Sequence, residues 1–107
     1  METMSIIQSV IIEEFERLKR LKNNYNKEIE ALPRGAVSKR KRGARFYLYL
    51  IYRSDKKVVT KYVGNWESEK AKAVLKQVRQ RQELEQKLKQ VNRDLAETER
   101  ALRAKQV

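Results

Sequence analysis

The breakers of regular structure are confined to one stretch of this chain. All three glycines and the single proline lie between Pro33 and Gly64. The segments on either side contain neither and are rich in helix formers, so each can run as one long helix. Whatever turns sharply must lie in the middle third.

The first flank carries Ile11, Phe15, Leu18, Tyr25, Ile29 and Leu32. Their spacing fits a heptad with one slot filled by Lys22. Leu21 and the cluster Ile6, Ile7 and Val10 are expected to widen the stripe. Ser5 can cap the start, and Pro33 disfavours helical geometry at Leu32. The expected helix covers 5–31.

The second flank follows Gly64. Asn65 is a good N-cap, and Glu67 and Glu69 suit the positive end of a helix. Leu84, Leu88, Val91, Leu95, Thr98 and Leu102 then recur at coiled-coil spacing. Upstream, Ala71, Val74, Leu75 and Val78 form a second stripe out of phase with the first, and the phase changes at Arg81 and Gln82. A change of packing partner is expected there. The expected helix covers 66–104. It exceeds the first by about a dozen residues, so its C-terminal half would lack a cover within the chain. That favours a homodimer through Leu84, Leu88, Val91, Leu95 and Leu102.

Between the flanks, Arg45 to Arg53 is rich in aromatic and branched residues, as a strand requires. Ser54-Asp55 reads as a turn and Lys57 to Val63 as the returning strand. That register sets Ile51 opposite Val58, Tyr49 opposite Thr60 and Tyr47 opposite Tyr62. Phe46, Leu48, Leu50, Val59 and Val63 share the other face. A lone hairpin is marginal in water. One face should therefore pack on the helices and the other on a third strand or a second chain. Ala36 to Arg40 offers a short edge strand.

The fold expected is α+β and mostly helical: a long N-terminal helix, a basic β-hairpin with room for a third strand, and a long coiled-coil-like helix. It is read as a single domain over 1–107, with 32–44 as a basic turn or arm and 45–63 as the hairpin.

Charge is distributed as unevenly as the breakers. The chain carries 26 basic and 14 acidic side chains, net +12, and residues 33–64 hold ten basic against one acidic. Anionic partners follow from such an excess. Lys39, Arg40, Lys41, Arg42 and Arg45 put five cations in seven residues beside Gly43; the run reads as phosphate contact or as a solvated loop. Arg53, Lys56 and Lys57 ring the hairpin tip, Lys61 projects from the second strand, and Arg34 precedes the run. A two-stranded ribbon fits the major groove of B-form DNA, although lysines on an exposed sheet edge also suppress aggregation. Lys72, Lys76 and Arg79 share one face of the second helix, as a nucleic-acid track or a solvated surface. Tyr47, Tyr49, Tyr52 and Tyr62 lie among these cations. Such interleaving suits single-strand stacking, but sheet packing is the preferred reading, with Tyr47, Tyr49 and Tyr62 as one cross-strand cluster. Trp66 reads as a packing anchor.

Enzyme chemistry finds few candidates. The absence of cysteine and histidine removes disulfides, zinc sites built on them, thiol nucleophiles and imidazole acid–base groups. There is no Gly-rich phosphate loop with its Lys and Ser/Thr. Carboxylates cluster at Glu13, Glu14 and Glu16 and at Glu28 and Glu30; Glu13 and Glu16 share a helical face, but with Arg17, Lys19 and Arg20 nearby they read as surface ion pairs. No catalytic residue, metal or cofactor is expected. No apolar run approaches the ~20 residues of a membrane span. Ile6 to Ile12 is short, follows Glu2 and lacks a basic leader. A cytoplasmic protein without membrane contact is expected.

The order Leu32-Pro33-Arg34-Gly35, a basic stretch, Phe46-Tyr47-Leu48-Tyr49-Leu50-Ile51-Tyr52-Arg53 and Lys57-Val58-Val59-Thr60-Lys61-Tyr62-Val63-Gly64 resembles an uncharacterised family of small prokaryotic and phage proteins. That family has a leading helix, an LP-x-G turn, an aromatic hairpin ending Tyr-Ile/Val-Gly and a long charged helix. Ser54-Asp55 departs from the usual Asp-Gly of its turn. The resemblance implies the fold and no established activity. A weaker similarity is to the arm-type DNA-binding domains of phage integrases, which place a basic aromatic sheet before a helix.

The function expected is nucleic-acid binding by a phage or mobile-element protein, through phosphates and residues 34–61, with DNA favoured over RNA. The alternatives are a phage-encoded inhibitor of anti-CRISPR type, acting on a host protein or ribonucleoprotein, and a structural coiled-coil adaptor.

Overall fold

The computed structural model describes residues 5–104, so Glu2 lies outside the described residues. Five elements follow in chain order: α1 (Ile6–Glu30), β1 (Ala36–Arg42), β2 (Arg45–Ser54), β3 (Lys57–Asn65) and α2 (Glu69–Ala104). The strands form one antiparallel sheet with β2 in the centre. The fold is α+β and mostly helical, as the breaker distribution implies. Its contacts divide the described residues into two compact units, 5–29 with 84–104, and 30–83. No described helix is long and apolar enough to cross a membrane.

The first unit is an α1–α2 pair. Ser5 and Gln8 form a capping box: the Gln8 amide donates to Ser5 Oγ, and the Ser5 amide to Gln8 Oε1. Leu18 and Ile29 are buried on α1, and Ile11, Phe15 and Tyr25 along the same stripe are half-buried. Ile6, Ile7 and Val10 do not widen this stripe into a core; all three are more than half exposed. Val91 is buried on α2, and Leu84, Leu88, Leu95 and Leu102 are half-buried. The residues of the expected dimer seam thus belong to the same compact unit as α1, and the four leucines stay half-buried. The surplus length of α2 lies at its N-terminal end, where it packs on the sheet. An uncovered C-terminal half therefore supplies no argument for a second chain. The glutamates of α1 form exposed ion pairs, Glu14 with Arg17 and Glu16 with Lys19. The Arg17 hydrogen bond holds the Glu14 carboxyl below its usual pKa.

The second unit joins the sheet to the first turns of α2. Leu48, Leu50 and Val63 pack with Ala71 and Val78, and Val37, Tyr52, Trp66 and Val74 close the margin. Trp66 is anchored as its position suggests, its amide donating to Phe46 O at 2.9 Å. Ala71 and Val78 are two helical turns apart and face the same way. Where the apolar stripe changes phase, the Arg81 guanidinium donates to Leu32 O at 2.7 Å, capping a carbonyl left free by the end of α1.

Four local details differ from the sequence reading. The basic arm is a strand, because Ala36 to Arg42 pairs along its whole length with Ile51 to Arg45. The two loop residues of the second hairpin are Asp55 and Lys56, at φ +47° and +68°, instead of Ser54 and Asp55. Positive φ at both positions is what the right-handed strand twist selects in a two-residue loop. Tyr49 therefore faces Tyr62 and Ile51 faces Thr60, with a bulge that leaves Val63 extra between Tyr49 and Leu48. The departure from Asp-Gly in the turn is thus Lys56. The fourth difference is the start of α2. Ser68 is its cap, accepting from the Ala71 amide at 3.1 Å, while Asn65 caps only the preceding turn through the Glu67 amide.

Gly35 explains the Leu-Pro-Arg-Gly element. Its φ is +114°, and a Cβ there would sit 2.3 Å from Ile51 O. Gly43 has φ +62° but open space around it. Gly35→Ala should lower unfolding stability by on the order of 3 kcal/mol, combining clash and strain. Gly43→Ala should lower it by about 1–2 kcal/mol. Lys56→Gly should raise it by about 0.5–1 kcal/mol, because the left-handed penalty is partly offset by chain entropy. Denaturant midpoints of the three variants check that order. Ser68→Ala should cost about 1 kcal/mol and Ser68→Thr much less, read the same way.

Candidate nucleic-acid interface

Burial of Leu48 and Leu50 decides what the other side of the sheet displays. Side chains alternate along a strand, so Tyr47, Tyr49, Ile51 and Arg53 must point away from α2. Register then brings their neighbours to the same side. Arg42, Arg40, Ser38 and Ala36 of β1 face Arg45, Tyr47, Tyr49 and Ile51. Tyr62, Thr60 and Val58 of β3 face Tyr49, Ile51 and Arg53. Within this unit no helix covers that outer face. The third strand extends the sheet edge by hydrogen bonds and does not stack on the face, so it is not the cover expected of it.

Three tyrosines form the centre of the face. The Tyr49 ring meets the Tyr62 ring edge-on at 5.6 Å, and the Tyr47 ring lies 6.1 Å from Tyr62 at a tilt of 48°. The cross-strand cluster therefore exists, in a register shifted from the one expected. Tyr49 is buried at 8 % exposure, as the floor, while Tyr62 stands 55 % exposed. Arg40 and Arg42 lie over the Tyr49 ring, with guanidinium carbons 4.9 and 5.7 Å from its centroid. Each contact contributes roughly 0.5–1 kcal/mol at an exposed site and fixes the guanidinium plane. Arg42, Tyr47, Tyr49 and Tyr62 line a shallow depression of about 390 Å³.

The expected site residues separate by face. Arg40, Arg42 and Arg45 cluster on the outer face beside the Gly43-Ala44 turn, and Arg53 lies on the same face at the opposite end of β2. Lys39, Lys41, Lys57 and Lys61 alternate to the opposite side of the sheet, around its solvent-exposed edges. There Lys39 Nζ sits 4.6 and 4.5 Å from the Phe46 and Trp66 rings. Lys56 occupies the turn. Arg34 is engaged in the fold: it donates to Arg53 O at 2.9 Å and lies 5.9 Å from the Tyr52 ring. Lys72, Lys76 and Arg79 are exposed on α2, which packs on the sheet face opposite the tyrosines. They do not join the outer-face arginines in one surface.

The association between arginines and tyrosines was missed in the sequence because the run Lys39 to Arg42 was read as an arm. The available signal was the two-residue spacer Gly43-Ala44 between Arg42 and Arg45, which makes a hairpin and sorts the cations by parity. No described sheet cation is paired with a carboxylate; the ion pairs lie on the helices. Asp55 is the single acidic residue between residues 33 and 64. Among the described residues no cluster of carboxylates could hold a metal ion.

No curated protein and no solved structure matches the chain. A family model does match, over residues 11–73, a span that takes in α1, the whole sheet and the start of α2. The chain belongs to the family described as a domain of unknown function, DUF6788.

Proposed function

We propose that this protein binds nucleic acid on the sheet of residues 36–65, holding it chiefly through phosphates. One observation carries the reading. Arg40, Arg42, Arg45 and Arg53 share a solvent-facing sheet surface on which no carboxylate answers them. Arg40, Arg42 and Arg45 are near neighbours whose like charges repel one another, and an anionic partner relieves the repulsion. Arginine suits the task because its planar fork presents two parallel N–H bonds to a phosphate. The Tyr49 ring beneath Arg40 and Arg42 takes none of their N–H groups; Arg40 gives its Nε–H to Ser38 Oγ at 3.4 Å and keeps its terminal N–H groups for a ligand. Lys56 at the turn and Lys39, Lys41, Lys57 and Lys61 around the sheet extend the positive field. They would act mainly on the rate of encounter.

A non-sequence-specific interaction of this kind has a characteristic salt response. Each neutralised phosphate releases counterions, so the logarithm of the affinity falls linearly with the logarithm of salt concentration. Binding of fluorescent oligonucleotides measured between about 50 and 200 mM salt should give a slope of −2 to −4, from a coefficient near 0.7–0.9 per contact. Replacing Arg40, Arg42, Arg45 and Arg53 together by Gln should flatten that slope by at least half. Replacing Lys72, Lys76 and Arg79 should change it far less. Failure to bind any oligonucleotide at ~50 mM salt would remove the proposal.

A further inference from the structure

The outer face is more specialised than phosphate binding requires. A surface that only neutralised phosphates would need cations and solvent between them. Here the ground between the arginines is mostly aromatic and apolar, Tyr47, Tyr49 and Tyr62 continued by Ile51 and Val58, with the small hydroxyls of Ser38 and Thr60 among them. Val58 is 64 % exposed and Tyr62 is 55 % exposed. Exposed rings and aliphatic groups on an uncovered sheet have a hydration cost that the fold does not relieve. Tyr62 in particular is held upright by edge contact with Tyr49 and tilted contact with Tyr47, leaving more than half of it open to a ligand.

A duplex gives such a surface little to bind. Its bases are stacked on one another, and it offers phosphates and groove edges. Groove edges are read by Asn, Gln, Arg or Lys. The amide side chain in register with this face, Asn65 opposite Tyr47, has its Oδ1 engaged by the Glu67 backbone amide, and the arginines lie toward the β1 edge and the hairpin ends. An unpaired base, by contrast, offers a free π-face to an aromatic ring, with the phosphate beside it left for a cation. The depression lined by Arg42, Tyr47, Tyr49 and Tyr62 combines both requirements in one place.

Building on the nucleic-acid reading above, we propose that the ligand is single-stranded nucleic acid laid across the outer face. An unpaired base stacks on Tyr62 and Tyr47, over the floor made by Tyr49. Arg40 and Arg42 contact the adjacent phosphates from the β1 edge. Stacking is tolerant of base identity, so the face discriminates unpaired from paired strands more than one sequence from another.

The test uses the full chain and four probes of equal length at ~100 mM salt: a twelve-residue oligo(dT), a twelve-residue oligo(rU), the corresponding dT·dA duplex, and an abasic strand with the same phosphates. Oligo(dT) or oligo(rU) should bind at least tenfold tighter than either the duplex or the abasic strand. The ratio of the first two shows whether DNA or RNA is the better fit. Tyr62→Ala should weaken the favoured strand by about 5- to 150-fold, the range for losing one stacked base. It should leave duplex affinity and the salt slope unchanged. Tyr62→Phe should retain most of the affinity, and its intact ring controls for loss of fold. Duplex or abasic binding as tight as oligo(dT) and oligo(rU) would overturn the stacking proposal while leaving phosphate binding in place. Absence of binding to all four, repeated at ~50 mM salt, would overturn both.

Discussion

The packing of Leu48, Leu50 and Val63 against Ala71 and Val78 is the contact on which the rest depends. A three-stranded sheet of this size needs one face buried to persist in water. Each fully buried apolar side chain supplies roughly 1.5–3 kcal/mol toward that. Because side chains alternate, burying one set also expels the other. Tyr47, Tyr49 and Tyr62 lie on the outer side as the necessary complement of a core built on their neighbours, with Tyr62 open to solvent over a buried Tyr49. The strands alternate between packing and presentation, and residues one position apart in sequence belong to different tasks.

The same helix serves two partners. Ala71, Val74 and Val78 of α2 meet the sheet, and Leu84 to Leu102 line the stripe of the helix pair. A single uninterrupted stripe would drift around a helix of 36 residues. The change of phase at Arg81 resets it. Arg81 itself is recruited to the Leu32 carbonyl, so a charged residue closes the position where apolar packing is interrupted. This arrangement groups the heptad leucines with α1 of the same chain and leaves them half-buried.

The helices and the inner face were legible because their signals are redundant. Heptad spacing, absent breakers and Ser5 all report α1, which ends within a residue of the position implied by Pro33. The turn was less legible. Placing the loop at Ser54-Asp55 instead of Asp55-Lys56 slips the register by two residues, and a two-residue slip preserves which side chains share a face. Leu48, Leu50 and Val63 were therefore assigned to the right face in the wrong register. The loop itself was obscured because Lys56 occupies a left-handed position where glycine is the usual signal. Strand β1 was only half visible, since four cations in its seven residues have none of the composition of a strand. Pairing with β2 overrides that weak propensity. The candidate site suffered most from this. Arg40 and Arg42 were singled out correctly as residues, but their stacking on Tyr49 is a cross-strand fact that no local pattern encodes.

The account stands on the outer face of the sheet being where the ligand lies. Photocrosslinking a bound single strand carrying 4-thiothymidine, followed by peptide mass spectrometry, reads that directly. Crosslinks at Tyr62, Tyr47 and the β1 segment around Arg40 and Arg42 are the predicted result. Crosslinks concentrated instead on the α2 segment from Lys70 to Arg79, with the sheet unlabelled, would contradict it.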